Sequence, residues 1–212
     1  IMVMQSGIVG TNTQRPLDVD EFRAFVLIDS VTPLIFIHSR DSKKATVFSL
    51  IHELIHIFLG NNEVLNVSPE ADIKNERWIT QVTINVLIPA DQLTKLISKN
   101  SSSEDNVKHL SSRFHTSLVA TAIRTKELHV FSDHIVDWAK AKQKKDLQLK
   151  LEQKSSGGDF YNTAISRIDR YFANAIINTE SSGSMAILQA ASMLGVTLKT
   201  YDATVDKILG MA

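Results

Sequence analysis

There is no cysteine in the 212 residues, so disulfides and thiolate metal sites are excluded, and a reducing compartment such as the cytoplasm is the expected setting. There is no excess of either charge, since Lys+Arg and Asp+Glu each number 23, and no global field points to nucleic acid or to a membrane surface. No apolar run approaches the roughly 18 residues of a transmembrane helix. There is no internal repeat. A methionine start is missing too: the chain opens at Ile1 in a strand-like stretch, which reads as the latter part of a longer protein and makes the lack of a leader weak evidence. What remains is an ordinary globular composition, 43% hydrophobic and 22% charged, long enough for one large domain or two small ones.

The stretch that is present and unusual is 45–59, ATVFSLIHELIHIFL, with His52-Glu53-Leu54-Ile55-His56 at its centre. Residues four apart share a helix face, so His52 and His56 can aim two imidazoles at one point. Glu53 lies about 100° round the helix and can flank that point as a base. With 7 His and 9 Glu in the chain, chance predicts about 0.01 such H-E-x-x-H patterns. Apolar residues on nearly every side, among them Val47, Ile51, Ile55 and Phe58, predict a buried helix whose polar groups need partners.

Around it the chain reads as α+β. Strands are expected at 2–9, 25–28 and 34–37, joined by turns into a small, mainly antiparallel sheet. Residues 61–75 read as a loop containing Pro69, and a second helix as 76–88, with Ile79, Val82 and Val86 as its apolar stripe and Pro89 as its stop. Short helices are expected at 106–114 and 117–128, a lysine-rich one at 135–151, and a break at Ser155–Gly158. The last 55 residues are helical by pattern, with stripes Phe160/Ala164/Ile168/Phe172, Ile187/Leu188/Ala191/Leu194 and Leu198/Tyr201/Val205/Ile208. This divides the chain into a core at 1–132, a linker helix at 133–156 and a helical C-terminal part at 157–212.

Two histidines need a third ligand, because catalytic zinc usually takes three protein groups. With no cysteine it must be His, Asp or Glu. Glu76, twenty residues after His56 at the start of the second helix, is the best candidate, and Thr80 one turn on could hold a ligand from behind. The stretches GIVGTNTQRPLDVDEFRAFVLIDSVTPLIFIHSRDSKKATVFSLIHELIHIFLG, ERWITQVTINVLIP, RFHTSLVATAIRTKEL and SGGDFYNTAISRIDRYFANAI together resemble the ImmA/IrrE family of zinc metallo-endopeptidases. The resemblance implies a zincin-like peptidase core, Zn2+ held by His52, His56 and Glu76, and Glu53 as general base. It also implies a helix-turn-helix repressor as substrate, with control of mobile-element, stress or toxin-antitoxin genes. The Gly157–Tyr161 segment, GGDFY, marks a subgroup often preceded by a repressor-like helix-turn-helix domain, which would account for the abrupt start. Thr80 departs from the family's usual Asn, and Ile79 from a small residue.

Several expectations attach to this reading. If the strand 34–37 forms the sheet edge, it could pair with an extended substrate. His38, His109, His115, His129 and His134 are chemically able to stabilise an oxyanion, but each reads as a surface histidine. Two rival readings stand beside the enzyme. One is a DNA-associated regulator, since 113–128 is helix-turn-helix-like with Arg113, Arg124 and Lys126 close by. The zero net charge argues against direct nucleic-acid binding by this chain. The other is a catalytically silent sensor or antitoxin that keeps the zinc fold and acts by binding.

Overall fold

The structure is a computed structural model that describes residues 1–10, 12–19, 21–60, 69–151 and 165–210. Among these the chain is α+β, with five strands followed by nine helices. The strands are β1 (Met2–Ser6), β2 (Ile8–Val9), β3 (Asn12–Pro16), β4 (Ala24–Leu27) and β5 (Leu34–His38). The helices are α1 (Lys43–Leu59), α2 (Pro69–Leu87), α3 (Ala90–Lys95), α4 (Ser103–Arg113), α5 (Leu118–Glu127), α6 (His134–Leu151), α7 (Arg170–Ser181), α8 (Ile187–Met193) and α9 (Leu198–Leu209). The expected break at Ser155–Gly158, the GGDFY segment, Phe160 and Ala164 lie outside the described residues. No helix among those described is long and apolar enough to cross a membrane.

By contacts the chain forms two compact units, one of Ile1–Asp41, Ile57–Glu63 and Gly157–Ala212, the other of Ser42–His56 and Val64–Ser156. The first unit holds a three-stranded sheet in the order β1-β5-β4. It is mixed: β1 runs parallel to β5, with Met2 opposite Leu34, and β4 runs antiparallel to it, with Leu27 opposite Leu34. The apolar stretch 2–9 is two strands rather than one. It divides at Gly7, where an added Cβ would lie 2.6 Å from the Arg40 Cγ and 2.8 Å from the Ser39 Oγ. That close approach turns the chain into the separate β2–β3 hairpin.

β5 is the central strand, paired on both sides, and has no edge to offer a substrate. The expectation of strand addition at 34–37 is therefore overturned: flanking turns locate a strand in sequence but not its place in the sheet order. The outer edge of β1 is occupied as well. Its alternate residues Val3 and Gln5 donate their N–H groups to Asp169 Oδ2 (3.2 Å) and to the Arg167 carbonyl (3.0 Å). The Gln5 amide donates to the Ser166 carbonyl at 2.6 Å. The same unit's helical core gathers Ala173, Ile176, Ile177, Ala190, Ala191, Leu194, Tyr201 and Ile208. Of the expected stripes there, Ile168, Phe172 and Val205 pack against that core, whereas Leu188 and Leu198 face solvent.

The second unit is helical. Val107, Ala122, Ile135 and Ala139 form one core across α4, α5 and α6, and Ile88, Leu93 and Leu110 form another. The helix-turn-helix-like pair is α4 and α5; of its two arginines Arg113 is exposed and Arg124 is turned inward. Arg124 is buried, and its Nε donates to the Ile88 carbonyl at 3.2 Å, satisfying a group at the end of α2. α5 begins with the partly buried Leu118 and Val119, which pack against the α4–α6 core instead of offering polar groups to a base edge.

Both α4 and α5 end on a histidine in the left-handed region, His115 and His129, each with φ of 54°. The Thr116 N–H then reaches the Ser111 carbonyl (3.1 Å) and the Val130 N–H the Thr125 carbonyl (2.9 Å), the six-to-one bond of a Schellman motif. Glycine fills the equivalent place after α7 and α8, at Gly183 and Gly195. Both histidines are exposed, so replacing either by glycine relieves backbone strain with little lost packing. We expect His115→Gly and His129→Gly each to raise stability by up to about 1 kcal/mol in urea unfolding. A loss of stability would mean that the ring contributes more than the backbone conformation costs.

Candidate metal centre

α1 was expected to be buried because it is apolar nearly all round. Instead its buried residues are Ser49, Glu53, Ile55 and His56, while Phe58 is 78% exposed and Val47 and Leu59 also face solvent. The polar face is the one turned inward. Along it Phe48, His52 and His56 follow one another at four-residue spacing. Phe48 stacks on His52 with ring centroids 6.1 Å apart and planes 26° apart, and the two imidazole centroids are 5.0 Å apart. Phe48 was not singled out from the sequence, although its place four residues before His52 was the available signal. Lys44, in the first turn of α1, donates from Nζ to the Ser111 Oγ (2.9 Å) and carbonyl (3.1 Å), fixing the helix to the end of α4. Gly60 closes α1 with φ of +67°.

Glu76 stands two turns into α2, not at its start, because the helix already begins at Pro69. Proline breaks a helix interior but suits the first turn, where its missing N–H has no partner to lose. The inward face of α2 carries Ile79, Thr83 and Ile84, all buried, while Val86 is 55% exposed, so the expected stripe through Val86 is displaced by part of a turn. α2 is tied to α5 by the Arg124–Ile88 bond and by the Gln81 amide donating to Glu127 Oε2 at 3.1 Å. Thr80 is half-buried, and its hydroxyl makes no hydrogen bond among the described residues.

These two helices bring His52, His56 and Glu76 together, with one ligand atom from each within 4.8 Å of the others. His52 Nε2 lies 3.1 Å from Glu76 Oε2, His56 Nε2 lies 3.2 Å from Oε1, and the two Nε2 atoms are 3.3 Å apart. If both imidazoles donated to the carboxylate from Nε2, two N–H groups would point into the same small space. A cation among the three groups removes that conflict and leaves all three as acceptors. The spacing also fits one: a tetrahedral zinc with bonds of about 2.0–2.1 Å sets its ligand atoms about 3.3–3.4 Å apart. Glu53, 5% exposed, sits beside His52 in the sequence on the inward side of α1.

Of the other histidines, His109, His115, His129 and His134 are exposed, as expected. His38 is not a surface histidine. It is fully buried at the end of β5, its ring 5.4 Å from that of Phe22, and Nδ1 accepts the Arg40 N–H at 3.2 Å. It belongs to the sheet's unit, whereas His52, His56 and Glu76 belong to the other.

Burial pushes the His52 imidazole below the ordinary histidine value; Glu76 draws it partway back, and the adjacent His56 ring opposes that recovery. The neutral ring, which is the ligating form, is thereby favoured near neutral pH. In the metal-free protein the unfolded chain then takes up the proton first, near pH 6.5. We expect stability to fall as the pH drops through that value and to level off once the folded His52 also protonates. Denaturation of metal-free wild type and His52→Gln at pH 7.5 and 5.5 measures this, the variant losing less. Equal losses would show that His52 is not held neutral.

Over residues 10–126, more than half of the chain, the sequence matches the IrrE N-terminal-like domain family, peptidase M78. No curated protein matches it. The matched span contains α1 and α2, and with them His52, Glu53, His56 and Glu76. The chain belongs to the IrrE N-terminal-like peptidase family.

Proposed function

We propose that this protein is a zinc-dependent endopeptidase in which His52, His56 and Glu76 hold the metal and Glu53 is the general base. The observation that carries the reading is the convergence of two Nε2 atoms and one carboxylate at 3.1–3.3 Å in a chain of a peptidase family. Zinc bound there supplies Lewis-acid polarisation of the scissile carbonyl and acidifies the attacking water. The Glu53 carboxylate takes a proton from that water as its oxygen bonds to the carbonyl carbon. It delivers the proton to the amide nitrogen as the C–N bond breaks, so the base is regenerated in one cycle. Phe48 holds the His52 ring in the orientation that aims Nε2 at the metal.

The substrate class rests on the family resemblance: a helix-turn-helix repressor whose cleavage releases mobile-element or stress genes. The inward-facing Arg124 counts against the DNA-associated alternative, because the one arginine of α5 is committed to a backbone carbonyl.

Glu53→Gln should keep its zinc and lose cleavage by about 10²–10⁴-fold, the usual contribution of a general base. A variant cleaving at the wild-type rate would remove Glu53 from that role. Glu76→Ala should lower the zinc content of the purified protein, and unchanged stoichiometry would move the third ligand elsewhere. The substrate is tested by incubating the protein with the repressor encoded beside it. Cleavage that stops with chelator and returns with zinc supports the reading, whereas an intact repressor under both conditions favours the silent sensor.

A further inference from the structure

One side of α2 stands open to solvent. Trp78, Val82 and Val86 follow one another there at four-residue spacing and form a single ridge along the helix. Trp78 is 53% and Val86 55% exposed, and Val82 is half-buried. Val82 and Val86 belong to the apolar stripe expected from the sequence; Ile79, Thr83 and Ile84 fill the core instead. Trp78 lies about 160° round the helix from Glu76, at 3.6 residues per turn, so the ridge is turned away from the three-residue cluster.

The two ends of the ridge differ. Lys74, one turn before Trp78, is exposed and in no ion pair among the described residues. At the other end α2 has no basic residue in its last turn, and its closing carbonyls carry the negative end of the helix dipole. The exposed Asp91 follows in the first turn of α3. A cation and a large ring thus stand at one end, a small side chain and negative potential at the other. Between them the neighbouring Gln81 and Asn85 are uncharged.

A face of this form matches itself when turned end for end. We propose that α2 is the contact of a two-fold homodimer, its Trp78–Val82–Val86 ridge packed antiparallel on the same ridge of a second copy. With Val82 on the axis, Trp78 meets the partner's Val86, a bulky ring over a small side chain. Lys74 meets the C-terminal end of the partner's α2. Parallel pairing would set ring on ring and lysine on lysine. The antiparallel contact is isologous and closes on itself, and its anchor is tryptophan, a residue enriched at the energetic centres of interfaces. The inference is independent of the peptidase chemistry, because neither Glu53 nor the three clustered residues take part.

Sedimentation velocity of the full chain over about a hundredfold range of concentration tests it, since mass action makes a homodimer concentration-dependent. The expected result is a monomer–dimer equilibrium that Trp78→Ala weakens at least about tenfold, with circular dichroism and zinc content unchanged. The chain has no cysteine, so single cysteines report the register. Val82→Cys, on the axis, is expected to form an intermolecular disulfide under mild oxidation. Val86→Cys, about 12 Å along the helices from its counterpart, is expected to stay reduced. A monomer at every concentration would overturn the proposal and leave the ridge to a different partner. Association unaltered by Trp78→Ala would place the contact elsewhere. Val82→Cys failing to link, or Val86→Cys linking as readily, would exclude the antiparallel register.

Discussion

Two imidazole nitrogens 3.3 Å apart and facing one carboxylate form an arrangement that resists itself. Without a cation the ring hydrogens crowd, and with one the three groups must stay close at the cost of their hydration. Such a cluster persists only if the two helices that carry it cannot drift apart, and the second unit is arranged to prevent that. α1 is fixed through Lys44 to the carbonyl and hydroxyl of Ser111 in the last turn of α4, and α2 through Gln81 and the Ile88 carbonyl to α5. The α4–α5 pair, which looks like a DNA-reading element in sequence, serves as the beam to which both helices of the cluster are attached.

The convergence of His52 and His56 was legible in the sequence because helical geometry maps spacing onto direction: the two had to share a face. The absence of cysteine left His, Asp or Glu for a third position; Glu76 was singled out by its place on the next helix and by the family resemblance. What could not be read was which face of α1 turns inward. Its apolar residues are so evenly spread that periodicity carries no direction, and the polar site decided the matter, leaving Phe58 in solvent. The start of α2 was hidden for another reason. Pro69 has opposite meanings in a helix interior and in a first turn, and the residue type alone does not tell them apart.

The sheet shows a different limit. Local pattern located β4 and β5 but not their order, since the β1–β5 pairing joins residues more than thirty positions apart in the chain. His38 was misplaced for a related reason: a histidine at the end of a short strand looks exposed until the ring of Phe22 packs against it. Helix ends divide in the same way. Gly183 and Gly195 announce a left-handed residue, whereas His115 and His129 adopt the same conformation without announcing it.

The hydrogen bonds from Val3 and Gln5 to residues 167 and 169 have a practical side. A three-stranded sheet whose outer strand lost those partners would present a row of unsatisfied N–H groups, an invitation to pair with another molecule. The C-terminal segment is therefore a guard against self-association as well as a cover for a core. A shortened fragment ending before Ser166 would keep His52, His56 and Glu76 and still be prone to stack strand to strand.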